Sequence, residues 1–394
     1  MTIPKRALGK SGIEVSQLGF GCMRLPLLGE NPAEIDIPAA TAMIRRAIDA
    51  GVNYVDTAYP YHSDSHVKPG QSEPATARAL ANGYRDRVYL ATKLPLWLVE
   101  SRADMDRFLD EQLRRLDTPY LDVYLAHNIN EGLWSKMREL GILSFFDSAL
   151  KDGRIRHAAF SFHDRYSLFE KVLAEYDWSM AQIQYNYLDV DHQAGRRGLR
   201  LAADRGVGVV VMEPLRGGFL VNHLPDQAKQ ILRDTQPGWT FAEWALRWIW
   251  DQPEVSAALS GMSNMEQTAE NLRIAERAGP GGLSADDHGA VEKVRNIFIE
   301  RTKVGCTACG YCLPCPSGVA IPKIFSLYNE YHFTDDPAAQ QVARFFYMGI
   351  MGDDKPANSC TQCGVCLGKC PQHIAISDEM SRAAELFHPK PAGS

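Results

Sequence analysis

Residues 88–126 read VYLATKLPLWLVESRADMDRFLDEQLRRLDTPYLDVYLA, and one complete unit of the fold can be followed through them. Val88–Thr92 and Leu121–Ala126 are apolar runs of strand length, while Ser101–Leu116 carries Met105, Phe108, Leu109, Leu113 and Leu116 at helical spacing. Ser101 stands where a helix N-cap belongs, and Pro119 stops the helix. Strand, helix and strand in that order form the βαβ unit of a parallel sheet.

The same alternation extends to both sides. Strand-like runs recur at Gln17–Gly21, Val52–Asp56, Val88–Thr92, Leu121–Ala126, Arg156–Ser161, Ala181–Tyr185, Val207–Met212 and Val255–Leu259. Eight such units predict an α/β fold closed as a (β/α)8 TIM barrel rather than an open sheet. Among the helices between them, Ala40–Ala50 puts Met43, Ile44, Ala47 and Ile48 on one face, with Gly51 at the C-cap position. Ahead of the barrel, Ala7–Val15 reads as a hairpin placed to cover its N-terminal mouth. The break Gly279-Pro280-Gly281-Gly282 ends the barrel, giving domains 1–282 and 283–394. The second is expected to be helical, with helices over Ser284–Arg301, Ile321–Tyr331 and Val342–Met351.

The composition is that of a folded globular chain: 394 residues, 45% hydrophobic and 23% charged. A net charge of −6 with both signs interspersed offers no basic stripe for nucleic acid and no polybasic membrane patch. No apolar run approaches membrane-spanning length, and Met1–Arg6 leads into no apolar signal region, so the expectation is a cytoplasmic protein.

Cysteine is the exception. Of nine, one is Cys22, expected to be a small buried hydrophobe, and eight fall between Cys306 and Cys370. They form Cys306-x2-Cys309-x2-Cys312-x2-Cys315-Pro316 and Cys360-x2-Cys363-x2-Cys366-x3-Cys370-Pro371. Three thiolates at x2 spacing can wrap one corner of an iron–sulfur cube, and the pattern predicts two 4Fe-4S clusters in a ferredoxin-like domain. Tetrahedral zinc, held by four cysteines at each site, is the alternative. Carrying over the crossed ligation of two-cluster ferredoxins assigns Cys306, Cys309, Cys312 and Cys370 to one cluster, and Cys360, Cys363, Cys366 and Cys315 to the other. The first motif departs from that pattern in having two residues, not three, before its last cysteine.

TIM-barrel chemistry sits at the C-terminal ends of the strands. There the chain places Asp56-Thr57-Ala58-Tyr59-Pro60-Tyr61, Ala91-Thr92-Lys93 and Leu125-Ala126-His127-Asn128. A phenol with pKa near 10 needs a neighbouring cation to become an effective proton donor, and Lys93 is the candidate, with Asp56 keeping it charged. His127 would orient a substrate carbonyl. His62 and His66 in the following loop are expected to be exposed or pocket-lining.

These residues resemble the aldo-keto reductase superfamily over about residues 4 to 280. With the cysteines included, the whole chain resembles the ferredoxin-fused aldo-keto reductases. The resemblance implies an oxidoreductase that moves hydride between NAD(P)(H) and a small carbonyl or alcohol substrate. It selects Tyr61, five residues after Asp56, as proton donor, and leaves Tyr59 as a pocket wall. It nominates Ser161, His163 and Gln184 for the nicotinamide carboxamide and Met212 for the ring-stacking position. Pro214, Leu215 and Gly217, then Gly261, Ser263, Gln267 and Asn271 in an adenosine-end loop, complete the cofactor set. His163 stands near where many relatives carry Asn, and Met212 replaces a stacking Tyr. Where NADPH-preferring relatives place Lys and Arg, this chain has Gly261 and Gln267, which points to NADH or weak discrimination.

Hydride carries two electrons and each cluster one, and no flavin fingerprint is present to connect them. Two alternatives therefore stand beside the main reading. One is a reductase fed through the clusters by ferredoxin or another redox partner, without nicotinamide; the other is a non-catalytic redox-sensing subunit.

Overall fold

The computed structural model describes residues 3–65, 67–306, 312–349, 355–370 and 372–388. They divide into two compact units, residues 1–217 with 242–284 and residues 218–241 with 285–394.

The first unit is the barrel. A short antiparallel hairpin, β1 (Lys5–Ala7) and β2 (Glu14–Ser16), precedes eight parallel strands: β3 (Leu18–Gly21), β4 (Tyr54–Asp56), β5 (Tyr89–Leu94), β6 (Leu121–Ile129), β7 (Ile155–Phe162), β8 (Met180–Gln184), β9 (Gly208–Met212) and β10 (Val255–Ser260). They close in chain order, with β10 paired to β3. Each lies within a few residues of its expected position. Leu8 and Val15 of the hairpin pack against Tyr54, Val123, Met180, Val210 and Ala257 inside the barrel, so the N-terminal mouth is filled by side chains. The chain enters there through Gly9, where a Cβ would lie 2.3 Å from the Gly206 carbonyl oxygen; only glycine fits.

The helix expected after β5 runs Arg102–Arg115, with Ser101 and Asp104 forming a reciprocal capping box. Its buried face differs from the expectation at one position: Gln112, not Leu113, is fully buried. The reason is polar. The Gln112 side-chain amide donates to Glu73 at 2.7 Å, Thr92 at 3.1 Å and the Lys93 carbonyl at 3.1 Å, and its oxygen accepts from Tyr124 at 2.7 Å.

The second unit is helical, with Asp226–Thr235, Ala285–Arg301, Ile321–Phe333, Pro337–Gly349 and Ile376–Phe387 as its main elements. Residues 218–241 lie between β9 and β10 in the chain yet group with the later residues. The aromatic ring of Phe219 meets Phe298 at 5.9 Å and Phe333 at 6.2 Å, and Gln236 donates to Asp287 at 2.8 Å. The unit's core gathers Ile324, Phe325, Tyr347, Met380 and Phe387, with the Tyr347 and Phe387 rings stacked at 4.0 Å. Among the described residues no helix is long and apolar enough to cross a membrane.

The loop that carries Tyr61 is fastened by close backbone approach. Gly70 donates to the Tyr59 carbonyl at 2.8 Å, Ser72 donates to the Tyr61 carbonyl at 3.2 Å, and the Arg115 guanidinium binds the Gly70 carbonyl. A Cβ on Gly70 would stand 1.9 Å from the Tyr61 carbonyl oxygen. Gly70→Ala is therefore expected to displace the Tyr61 loop and to destabilise the barrel by about 1–3 kcal/mol, as overpacking does. Thermal unfolding and limited proteolysis of residues 61–71 would measure it; wild-type values in both would contradict the account.

Candidate active site

Side chains on a strand return to the same face every second residue. Tyr54, Ala91, Leu125, Ala159, Met180, Val210 and Leu259 form one layer of the barrel core. Two residues further along stand Asp56, Lys93, His127, Ser161, Gln182, Met212 and Gly261, a second layer at the C-terminal end. The polar candidates are thus stacked above an apolar floor.

Lys93 is fully buried and Asp56 is 2% exposed. The ammonium donates to Asp56 Oδ1 at 2.5 Å, to the Thr57 carbonyl at 2.8 Å and to Tyr61 Oη at 3.3 Å, which uses its three protons. Burial would lower the Lys93 pKa, but Asp56 and then Tyr61 outweigh it and hold the ammonium above its ordinary value. At Tyr61 burial dominates and raises the phenol, with Lys93 pulling the other way. The phenol is a held proton at neutral pH. His127 lies edge-on to Tyr61, with ring centroids 6.1 Å apart, and 5.1 Å from Trp97. Burial, then the charges of Lys93 and His163, push its pKa well below the usual histidine value, so the ring is neutral.

Tyr61, Asp56 and His127 open onto a cavity of about 520 Å³, a size suited to a small ligand. Its walls include Met23, Arg24, Trp97, Asn128, His163, Gln182, Met212, Glu213 and Gly261. Three of its lining residues, His62, Asn128 and Glu213, hold left-handed backbone with φ of 60°, 61° and 55°. Such strain concentrates at functional sites. The β6–β7 pairing shifts register between Ala126 and Ile129, which re-aims this strand end.

The expected cofactor residues separate into those that reach the cavity and those that do not. His163, Met212 and Gly261 line it. Ser161 is buried below and accepts from the Asn128 backbone N–H at 2.8 Å, so its hydroxyl secures the strained strand end. Gln184, expected at the carboxamide, is two residues too far along β8 and donates to Asp189 at 3.0 Å. Gln182 takes the wall position instead. Its side-chain oxygen is buried with no partner among the described residues. Counting by two from the apolar layer would have identified it. Pro214 and Leu215 do not line the cavity; Glu213 does. Asn271 donates to Ser260 at 2.9 Å, and Gln267 accepts from the Ser263 backbone N–H at 2.9 Å, ties that hold the 260–271 turn together.

The sequence reading also missed Arg24. From the loop after β3 it reaches across the rim to Glu213 at 3.2 Å, its stem 3.3 Å from a Cβ built on Gly261 and its guanidinium 3.3 Å from one on Gly217. The two glycines form a cradle for it. A cation therefore does stand beside Gly261, brought from 237 residues away in the chain. His62 is satisfied on both nitrogens: Leu25 N–H donates to Nε2 at 3.0 Å and Nδ1 pairs with the Pro32 carbonyl at 2.9 Å. It is a fastening of the loop, while His66 lies outside the described residues. Cys22 is fully buried and its pKa is pushed up to about 12 by burial, which makes it an inert thiol.

In the helical unit, Cys315, Cys360, Cys363 and Cys366 line one pocket, together with Ser317, Thr361 and Ser377. Ser317 and Thr361 hydroxyls lie 3.1 Å apart and tie the two motifs together. Ser377, at the start of the Ile376–Phe387 helix, has a buried hydroxyl without a partner among the described residues. Cys306, Cys312 and Cys370 pack around the same core, and Cys309 lies outside the described residues. None of the described cysteines is in a disulfide. Among the described residues no three His, Cys, Asp or Glu side chains come close enough to grip a single metal ion. Four cysteines thus line one pocket with an unpartnered hydroxyl on its wall, a soft donor set of the kind that holds iron–sulfur groups.

Comparison with known proteins agrees with both halves. The aldo/keto reductase family profile matches residues 17–296, and a 4Fe-4S dicluster domain profile matches residues 305–375. The uncharacterized oxidoreductase YqkF of Bacillus subtilis is 25% identical over 308 residues, 69% of this chain and 90% of that protein. L-glyceraldehyde 3-phosphate reductase of Escherichia coli is 24% identical over 312 residues, 68% and 86% respectively. Among solved structures, the holo form of aldo-keto reductase AKR11C1 from Bacillus halodurans superposes with a TM-score of 0.60 at 26% identity, covering 74% of this chain and 96% of that one. The chain belongs to the aldo/keto reductase family of oxidoreductases and carries a C-terminal 4Fe-4S dicluster domain.

Proposed function

We propose that the barrel reduces a small carbonyl compound, or oxidises the corresponding alcohol, with Tyr61 moving the proton and a nicotinamide dinucleotide lying along the β8–β10 side of the cavity. The observation that carries this reading is the hydrogen-bonded succession Asp56, Lys93, Tyr61, which ends in the cavity beside His127. Bound nicotinamide supplies or accepts the hydride. Tyr61 accepts a hydrogen bond from Lys93, which leaves its own O–H free to be given to a carbonyl oxygen. The ammonium at 3.3 Å then stabilises the phenolate left behind. Asp56, a carboxylate with almost no solvent, keeps that ammonium charged. Neutral His127 donates to the same carbonyl oxygen and fixes its direction.

Gln182 supports the cofactor side. Its unpartnered buried oxygen is placed to accept from a carboxamide N–H, and Met212 offers a polarizable face where a ring can lie. Arg24 adds positive charge for the anionic part of a dinucleotide, so the absence of Lys and Arg in residues 260–271 does not leave that end without a cation.

In the helical unit we assign Cys306, Cys309, Cys312 and Cys370 to one 4Fe-4S cluster, and Cys315, Cys360, Cys363 and Cys366 to the other; bound clusters carry one electron each. The shared pocket of the second set supports the crossed assignment. Described thiols without a disulfide suit a reducing, cytoplasmic setting.

Four outcomes are expected. Tyr61→Phe should lower kcat about 10²–10⁴-fold, the worth of a positioned proton donor, with iron content unchanged; turnover within a few-fold of wild type would remove Tyr61 from the chemistry. Because the donor must be protonated and burial raises its pKa, carbonyl reduction should persist through neutral pH and fall only above about pH 10, the free-phenol value. Gln182→Ala should raise KM for the nicotinamide about tenfold, the loss of a hydrogen bond of ~1.4 kcal/mol, whereas Gln184→Ala should leave it near wild type. Ser377→Ala should lower a cluster midpoint potential by tens of millivolts, about 59 mV being tenfold in a one-electron equilibrium, since the hydroxyl that would donate to a bound cluster is lost. Anaerobic redox titration followed by EPR reads this, and an unchanged potential would sink it.

A further inference from the structure

The segments that carry the cysteines are surrounded by an unusual choice of neighbours. No Asp or Glu occurs between Glu300 and Glu330, nor between Asp354 and Asp378, while Arg301, Lys303, Lys323, Lys355 and Lys369 fall inside those spans. Arg301 answers Asp335 at 2.8 Å, an acid from outside them. Lys355 is fixed beside the cysteine pocket. Its backbone N–H donates to the Gly318 carbonyl at 3.0 Å, and its stem lies 3.5 Å from a Cβ built on Gly318.

Apolar side chains are exposed next to the cysteines of the same pocket. Cys363 is exposed, and beside it in the chain Val365 and Leu367 are 44% and 43% exposed; Leu313, two residues before Cys315, is 41% exposed. Apolar side chains next to an exposed cysteine, with Lys369 close by in the chain and Lys355 packed on Gly318 beside the pocket, form a collar with the polarity of an electron-transfer contact, which is among the smallest classes of protein interface.

We infer that this collar is the docking surface for an acidic one-electron carrier protein. The inference rests on reading Cys315, Cys360, Cys363 and Cys366 as cluster ligands. A cluster held by Cys315, Cys360, Cys363 and Cys366 would take up one electron from the reduced carrier; the carrier would be oxidised by one electron and the cluster reduced by one, with no bond or proton moving. Attraction between lysines and an acidic partner speeds encounter and is screened by salt, while the leucine and valine contacts hold the short-lived complex.

The test uses the full chain, loaded anaerobically with iron and sulfide, and a recombinant flavodoxin of strongly negative charge as probe. Calorimetry gives Kd and stopped-flow absorbance gives the rate of cluster reduction, at about 50 mM and about 300 mM salt, which spans strong to weak attraction. Kd should weaken at least tenfold with salt, and at least tenfold again in Leu367→Glu or Lys355→Glu, with iron content and the EPR signal of the clusters unchanged. Lys68→Glu, on an exposed loop of the barrel, should bind as wild type does. Binding that ignores salt and both variants would overturn the inference. So would loss of self-association in Leu367→Glu without any carrier binding, which would give the surface to a second copy of this chain. A wild-type chain that takes up no iron refutes the ligand reading itself, whereas a fully loaded chain that the flavodoxin ignores refutes the docking surface alone.

Discussion

An ammonium and a carboxylate held together inside a barrel each give up several kcal/mol of hydration, and the upper barrel is organised around recovering it. Lys93 directs its three protons to Asp56, the Thr57 carbonyl and Tyr61. The strand that presents it is in turn fixed by Gln112, which binds the Lys93 carbonyl while Thr92 and Arg115 satisfy buried Glu73. The buried polar residues beside the tetrad are therefore one continuous support. Arg115 also binds the Gly70 carbonyl, and so joins that support to the loop that sets Tyr61.

Much of this is legible in the sequence because barrel strands are short, apolar and regular. All eight can be located from their apolar runs, Asp56, Lys93 and His127 follow from their strand-end positions, and Tyr61 is chosen over Tyr59 by the family resemblance. What escapes such a reading has a common physical cause: contacts made across the chain. Gln184 and Gln182 share a strand face, and only the level of the apolar layer, a property of the closed barrel, decides which meets the cavity. Arg24 reaches Gly261 from the other end of the chain, so residues 260–271 taken alone contain no cation at that point. Gln112 sits in a stripe of apolar residues, and its burial is explained by partners on β5 and on the helix after β4. Residues 218–241 likewise read as part of the barrel by order, while their aromatic and polar partners come from beyond residue 285.

Under the proposed function the two units would handle electrons in different parcels. A barrel site that works by hydride and proton moves electrons in pairs, and cysteine-held clusters move them singly. The residue types follow that division. The barrel site is built from titratable groups at fixed distances, with a neutral imidazole and a protonated phenol. The cysteine segments contain cations and apolar side chains but no acid of their own, an environment in which gaining negative charge is electrostatically easy.

The hairpin at the start of the chain bears on traffic through the barrel. With Leu8 and Val15 seated in the N-terminal mouth, the described residues plug the barrel at that end, opposite the chamber at the C-terminal ends of the strands. If the proposed cofactor and substrate share that chamber, one held deeper in it would have to enter before, and leave after, one held nearer the rim.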